Sequence, residues 1–254
     1  MILVDTDPAA GLPLCDVDDV IALHFLHAAG VPFEITTCYG NTDGVRTRRV
    51  AHELGERWGV TVHDGATHRD DVDTPAVEAL AAHRGTVLAL APLTNIRAAL
   101  DRGARWERLV VLGGTARRRP NVRYVHTTEL NFALDEPAAA RALMATTTLF
   151  PMEPCRKVLF GEAERRRLPG WLAERVRGWL RIAPLSTGRR AFHPWDLLPA
   201  VWLHAPHVFR SERRSVRLVS APLRRGQIRY GPGDVEVVTD VDAEAFIRTW
   251  ASVV

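Results

Sequence analysis

Lysine is almost absent from this 254-residue chain, in which Lys157 is the single lysine among 33 basic residues. Cysteine is also scarce, because Cys15, Cys38 and Cys155 lie far apart and form no CxxC pair. This odd, scattered set argues against a disulfide framework and against a structural zinc site. No run of eighteen apolar residues occurs, so we expect no membrane span.

The amino terminus lacks the basic and then apolar pattern of a secretory signal, since the acidic Asp5 follows only four residues. We therefore expect a cytoplasmic protein. The formal net charge is only +3, and residues of both signs are interspersed, which does not favour binding to nucleic acid. Hydrophobic residues make up 46% and charged residues 25% of the chain, as in an ordinary globular protein.

Short apolar runs alternate with stretches of helical period along the first 150 residues. This pattern predicts a single α/β domain over residues 1–254, with a mostly parallel, Rossmann-like central sheet flanked by helices. The predicted strands are 2–4, 33–39, 86–90, 109–112, 147–150, 216–219 and 235–238. The predicted helices are 17–29, 45–58, 93–100, 136–145, one or two within 164–181, 195–203 and 242–250.

Five aspartates crowd the first nineteen residues, at the end of the first strand and the start of the next helix: Asp5, Asp7, Asp16, Asp18 and Asp19. An open α/β sheet binds its ligands at this position. Clustered carboxylates repel one another unless a cation holds them, and calcium and magnesium prefer oxygen ligands. One alternative is that Asp16 or Asp18 caps the helix while the other carboxylates are solvated.

The strand ending in Asp5-Thr6-Asp7-Pro8, with an aspartate pair before the next helix, begins a series of short motifs. The others follow in chain order: Tyr39-Gly40-Asn41, Ala91-Pro92-Leu93-Thr94-Asn95, Leu112-Gly113-Gly114, Glu129-Leu130-Asn131-Phe132, Trp195-Asp196 and Asp240-Val241-Asp242. Together they resemble, over residues 2–246, the nucleoside hydrolases, whose amino-terminal signature is DxDxxxDD.

The resemblance implies one calcium ion, held by Asp7, Asp19, Asp196 and the backbone carbonyl of Thr94. It also implies that Asp7 is the general base for a calcium-bound water that attacks the anomeric carbon. Four further residues would hold the ribose hydroxyls: Asp18, Asn41, Glu129 and Asn131. The implied reaction is hydrolysis of the N-glycosidic bond of a ribonucleoside, or of a related N-riboside, to free base and ribose.

The chain departs from the family pattern between Asp7 and Asp18. Residues 8–17 intervene there, whereas the family usually has three residues. We expect this insertion to loop out, because a short loop extension adds little closure entropy. Replacement of Asp18 or Asp19 by Asp16 remains an alternative.

A second departure is Trp195, which stands where many family members carry a histidine that protonates the leaving base. Indole is no acid near neutral pH, so His193 is the nearest substitute and Trp195 would stack on the base instead. A purely structural role for both residues is the alternative. Asn121 is the single candidate in its loop for a further ribose-binding asparagine.

Arginines are concentrated in the long loop 115–128, at residues 117–119 and 123. Because guanidinium groups bind phosphate and carboxylate in a bidentate manner, one hypothesis is a 5′-phosphorylated substrate. The alternative is a solvated loop in an arginine-rich chain.

Two other functions fit parts of the sequence. A magnesium-dependent phosphohydrolase of the haloacid dehalogenase type also begins with a strand and Asp-x-Asp, but it leaves the Asp18-Asp19 pair unexplained. A non-catalytic nucleoside-binding homologue would keep the fold, although carboxylates crowded together without a metal are costly. For the hydrolase we expect a nucleoside or nucleotide as small-molecule partner and a homo-oligomer, either a dimer or a tetramer.

Overall fold

The computed structural model describes residues 1–116, 129–219 and 225–254. Within these residues the strands are Ile2–Thr6 (β1), Phe33–Thr37 (β2), Val62–His63 (β3), Thr86–Ala89 (β4), Arg108–Leu112 (β5), Thr148–Phe150 (β6), Phe209–Val219 (β7) and Gln227–Val241 (β8). The helices are Asp18–Ala28 (α1), Gly44–Trp58 (α2), Pro75–Ala82 (α3), Thr94–Asp101 (α4), Leu130–Leu134 (α5), Glu136–Leu143 (α6), Met152–Cys155 (α7), Glu162–Arg165 (α8), Gly170–Ile182 (α9), Pro184–Thr187 (α10), Leu197–His204 (α11) and Ala243–Val253 (α12). A 3₁₀ turn covers Pro206–Val208.

All eight strands form one sheet in the order β3-β2-β1-β4-β5-β6-β8-β7. Every pairing is parallel except that of β7 with β8, which form an antiparallel hairpin at one edge. The predicted fold class, a single α/β domain with a mostly parallel sheet, is confirmed. The strand order reverses at β1, between β2 and β4, so a crevice opens there at the carboxyl ends of the strands.

Side chains of the central strands alternate between two hydrophobic cores, one on each face of the sheet. Val4 packs in the core that also contains α1, α11 and α12, whereas its neighbour Leu3 packs in the core that contains α3, α4 and α6. Parallel strands covered on both faces read as continuous apolar runs, which is why β1, β4 and β5 were visible in the sequence.

The helix ends that frame the crevice follow ordinary capping rules. Asp43 caps α2 by accepting the backbone N–H of Arg46, and Asp135 caps α6 by accepting that of Ala138. Helix α1 differs, because its N-cap is Val17 and no side chain caps it. The alternative that Asp16 or Asp18 serves as the N-cap of α1 is therefore wrong, and both carboxylates are free for other contacts.

Several elements differ from the sequence predictions. The two-residue β3 and the alanine-rich α3 were not predicted, and 164–181 contains the second half of α8 and nearly all of α9, which are two separate helices. The late strands are longer than predicted, because 216–219 and 235–238 are parts of β7 and β8. In the described part of the chain, no helix has the combined length and hydrophobicity that crossing a bilayer requires.

Candidate active site

The predicted site residues follow different strands of the sheet, and the parallel strands bring them to one edge. Asp7 directly follows β1, Asn41 lies in the loop after β2, and Thr94 begins α4 just after β4. Asp18 and Asp19 form the first turn of α1, while Asp196 immediately precedes α11. Helices α1 and α11 pack against each other, which carries Asp196 to the crevice beside β1.

Asp7 and Asp19 are both buried and are joined through Asn41. The backbone N–H of Asn41 donates to Asp7 Oδ2, and its side-chain Nδ2 donates to Asp19 Oδ2 at 2.9 Å. The backbone N–H of Asp7 donates to Asp19 Oδ1 at 3.2 Å, and the Thr6 hydroxyl donates to the same oxygen. These donors fix the direction of both carboxylates before any ligand binds.

Asp196 approaches the amino-terminal acids from a part of the chain 178 residues away. Its backbone N–H donates to Asp18 Oδ2 at 3.3 Å. Its carboxyl group is also close enough to Asp19 to lower the pKa of that residue through a hydrogen bond between the side chains. The structure therefore brings Asp7, Asp18, Asp19 and Asp196 into one cluster.

Burial and mutual repulsion raise the pKa of every carboxyl group in this cluster. Burial is the first cause, and it raises the pKa of Asp18 to about 7. The pKa values of Asp7 and Asp196 rise well above the ordinary value, by burial first and then by the charge of Asp19. For Asp19 the rise is opposed by its hydrogen bonds, of which that from Thr6 is the strongest. Without a cation, the cluster would have to take up protons.

The insertion loops out without moving the aspartates apart. Its ends are anchored, because Ala9, Ala10 and Val17 are buried, and its middle turns through a hydrogen bond of 3.0 Å from the Leu12 N–H to the Ala9 carbonyl. The Cys15 thiol also donates to the Asn41 carbonyl at 3.4 Å. The loop therefore leaves and re-enters the crevice at fixed points.

The donor set fits a hard divalent cation. Of the described residues, Asp16, Asp18 and Asp19 have ligand oxygens within 4.8 Å of one another, and no histidine or thiol joins that group. Calcium and magnesium prefer carboxylate and carbonyl oxygens as ligands, and a bound cation would stabilise the ionised form of these crowded carboxylates. The cluster is therefore compatible with a bound divalent cation.

Thr94 contacts two further polar side chains through its hydroxyl group. The Thr94 hydroxyl donates to Asp135 Oδ2 at 2.7 Å and lies 3.1 Å from the Tyr39 hydroxyl. Neither contact involves the backbone carbonyl of Thr94, and its role as a metal ligand stays a prediction. Neither Tyr39 nor Asp135 had a predicted role in the site.

Asp5 was placed among the acidic residues of the cluster, but it lies inside the protein core. Asp5 Oδ1 accepts hydrogen bonds from the Thr36 hydroxyl and from Asn95 Nδ2, each at 2.8 Å. Burial raises its pKa to about 7, because these two hydrogen bonds only partly offset the loss of solvation. Asp5 thus links β1 to β2 and α4. The sequence motif that contains Asn95 did not predict its contact with Asp5.

Glu129 and Asn131 lie beside the strand ends, where their polar atoms already have partners. The two oxygens of Glu129 accept the backbone N–H groups of Gly114, Asn131 and Phe132 at 2.8–2.9 Å. Asn131 Nδ2 donates to the Leu90 carbonyl at 2.8 Å. These bonds fix both side chains at the crevice, and each keeps acceptor capacity for a ligand hydroxyl.

A mainly apolar cavity of about 240 Å³ adjoins the carboxylates. Its lining includes Asp16 and Asp18 on one side and Leu14, Trp179, Leu185, Phe192, His193 and Trp195 on the others. The rings of His193 and Trp195 lie 5.0 Å apart, centroid to centroid. Because Asp18 belongs to both the cavity lining and the cluster, a ligand in the cavity would extend directly to the carboxylates.

The hydrogen bonding of His193 fixes which of its nitrogens is available. His193 Nδ1 lies 2.8 Å from the Val158 carbonyl, which can only accept, so Nδ1 carries the proton. Burial lowers the pKa of His193, so the ring is neutral and Nε2 is an acceptor. Asn121 and the arginines at 117–119 and 123 lie outside the described residues, so their predicted roles remain predictions.

The fold is that of several solved nucleoside hydrolases. A plant nucleoside hydrolase superposes with a TM-score of 0.81 at 18% identity, covering 99% of this chain and 97% of the other. For a purine-preferring ribonucleoside hydrolase from Gardnerella vaginalis the TM-score is 0.78 at 17% identity, with 99% and 96% covered. For an inosine-uridine preferring nucleoside hydrolase from Bacillus anthracis it is 0.76 at 18% identity, with 99% and 98% covered. At these identities the similarity establishes the fold.

Family membership comes from the sequence itself. Residues 2–248 match the model of the inosine-uridine preferring nucleoside hydrolase family, and the chain belongs to this family. It is therefore an N-glycosyl hydrolase, which confirms the predicted family and enzyme class and sets aside the phosphohydrolase alternative. No protein of curated function gives a significant match to the chain.

Proposed function

We propose that this enzyme hydrolyses the N-glycosidic bond of a ribonucleoside, using water that Asp7 deprotonates at a site for one calcium ion. The ligands in this proposal are Asp7, Asp19, Asp196 and the backbone carbonyl of Thr94. The observation that supports it most strongly is the 3.3 Å hydrogen bond from the Asp196 N–H to Asp18 Oδ2, which joins distant parts of the chain at one buried acidic cluster.

Bound calcium would supply Lewis acidity, which lowers the pKa of water enough for a carboxylate to deprotonate it near neutral pH. Asp7 suits the role of general base because the Asn41 N–H fixes one of its oxygens at the crevice. Asp18, Asn41, Glu129 and Asn131 would position the ribose hydroxyls. Negative charge around the sugar would stabilise an oxocarbenium-like transition state.

The apolar cavity is the place for the leaving base. Trp195 offers an aromatic face for stacking, and His193 offers Nε2 as an acceptor for an N–H of the base. For His193 to act as the acid that protonates the base, Nε2 would first have to gain a proton against the effect of burial. A stacking role for Trp195 and an accepting role for His193 therefore fit the resting enzyme better than acid catalysis by either residue.

The test is release of free base from a panel of nucleosides in the presence of calcium. We expect release from at least one ribonucleoside, and much less from its 2′-deoxy analogue, because buried groups left without a hydroxyl partner penalise binding. Asp7→Asn should lower kcat by roughly 10²–10⁴, the usual contribution of a general base. A wild-type protein that binds calcium but releases base from no nucleoside would refute the proposed reaction.

A nucleoside 5′-monophosphate tested beside the nucleoside decides whether the arginine-rich loop recognises phosphate. Equal kcat/KM for both would end the phosphate hypothesis. The predicted cytoplasmic location and the homo-oligomer stay part of this proposal, and sedimentation analysis of the purified protein would distinguish a monomer from a dimer or tetramer.

A further inference from the structure

The insertion places an additional carboxylate at the site, and the family pattern does not include this carboxylate. Asp16, near the end of the insertion, has a ligand oxygen within 4.8 Å of those of Asp18 and Asp19. Calcium binds oxygen at about 2.3–2.6 Å, so two oxygens on one ion are at most about 5 Å apart. Asp16 is therefore near enough to share a single cation with its neighbours.

A second observation concerns hydrogen bonding. Asp16 is partly buried as a residue, but its Oδ1 is enclosed and lacks a hydrogen-bond partner among the described residues. By contrast, Asp18 accepts the Asp196 N–H, and Asp19 accepts three donors. The Asp16 side chain shares a hydrogen bond with the Asp18 side chain, but this contact does not satisfy Oδ1, and a buried carboxylate oxygen without a donor is costly. A cation would satisfy this oxygen.

The position of Asp16 is determined by the fold of the loop. The next residue, Val17, is buried at the start of α1, and the preceding residue, Cys15, is tied to the Asn41 carbonyl. Asp16 also lines the 240 Å³ cavity, as Asp18 does. The carboxylate is thus held between the cavity and the metal site.

We propose that Asp16 is a direct ligand of the calcium ion, in addition to Asp7, Asp19 and Asp196, and that it tightens calcium binding in the absence of nucleoside. The inference rests on the proposed function only for the identity of the cation. Calcium affinity increases with the number of charged ligands, so an added carboxylate raises it. The insertion then supplies one more calcium ligand than the family pattern contains.

Calorimetric titration of the metal-free protein with calcium, without nucleoside, tests this inference. We expect Asp16→Asn to weaken calcium binding by about tenfold or more. The control is Asp70→Asn, since the Asp70 side chain is 79% exposed and Asp70 is not one of the carboxylates of the cluster. Asp70→Asn should bind calcium as the wild type does.

Thermal unfolding of the metal-free variants distinguishes the loss of a calcium ligand from the loss of a structural contact. Asp16→Asn replaces a carboxyl group crowded among other carboxyl groups by a neutral amide of the same shape, so its melting temperature without calcium should equal or exceed that of the wild type. A purely structural aspartate would lower it. If Asp16→Asn does not fold, Asp16→Ser takes its place in both measurements.

Wild-type calcium affinity in a folded Asp16 variant would overturn the inference, and so would a wild type that binds no calcium. Neither result depends on turnover. A protein that binds calcium through Asp16 but cleaves no nucleoside would refute only the proposed reaction and would leave the inference about Asp16 intact.

Discussion

Gly40 lies so close to the proposed general base that no side chain fits there. A Cβ built on this residue would lie 2.0 Å from Asp7 Oδ2 and 2.9 Å from Pro92 Cδ. We expect Gly40→Ala to push Asp7 aside and to lower kcat/KM by roughly 10²-fold, since a misplacement of about 1 Å can cost that much. The measurement is steady-state hydrolysis of the best nucleoside.

Gly178 in α9 provides the matched control, because a Cβ there would meet nothing within 4 Å. Gly178→Ala should keep wild-type kinetics and raise the free energy of unfolding by about 0.5–1 kcal/mol, the usual gain from replacing a helical glycine. Unchanged kcat/KM in Gly40→Ala would show that Asp7 is not held where the structure places it.

At the residue scale, local sequence patterns predicted the amino-terminal aspartates of the cluster, but they did not indicate that Asp196 joins them. The spacing of Asp7, Asp18 and Asp19 brings them near one strand end, so local reasoning found them. Asp196 comes 178 residues after Asp18, and only the family resemblance pointed to it. The core position of Asp5 was unpredictable, because it depends on Thr36 and Asn95 from two other elements.

Among the elements, α1 contains a histidine whose burial affects stability. His24 stacks on Trp58 of α2, with 6.2 Å between the ring centroids, and its Nδ1 is enclosed without a described partner. Burial, and then the neighbouring His27, lower the pKa of His24 from 6.5 to about 4. The folded state therefore binds this proton less well than the unfolded state.

We expect the contribution of neutral His24 to be present above pH 6.5 and to be lost as the pH falls toward 4. The wild type should lose roughly 1–2 kcal/mol more than His24→Leu across this window, after discounting for the partly exposed ring. Urea unfolding at several pH values measures the difference. The exposed His207, changed to leucine, is the control, and parallel curves for wild type and His24→Leu would contradict the prediction.

The sequence predicted buried elements better than exposed or alanine-rich ones. Strands β1, β4 and β5 are covered on both faces, so their apolar runs were visible. The hairpin β7–β8 was underestimated because many of its residues are arginine or half-exposed and show weak alternation. Helix α3 has small side chains on most sides, which blurs the helical period.

For the whole molecule, a cation that binds only the folded state must stabilise the chain. At a calcium concentration one hundred times the Kd the gain is about 2.7 kcal/mol. That raises the melting temperature of a domain of this size by about 5–10 °C. Asp196→Asn should abolish most of this increase, and an equal increase in that variant would show that calcium acts elsewhere. Thermal unfolding with calcium or with a chelator gives the comparison.

The edge hairpin β7–β8 also disfavours the edge-to-edge joining of the sheets of two copies of this protein. Strand β7 is the outer strand at one edge, with exposed Arg210, Arg213 and Arg217 and with irregular pairing after Arg210 and Arg214. A neighbouring molecule that tried to add a strand there would meet guanidinium against guanidinium and a kinked backbone. Such features protect an edge strand against aggregation, so we expect no oligomer to form by addition of a strand to β7.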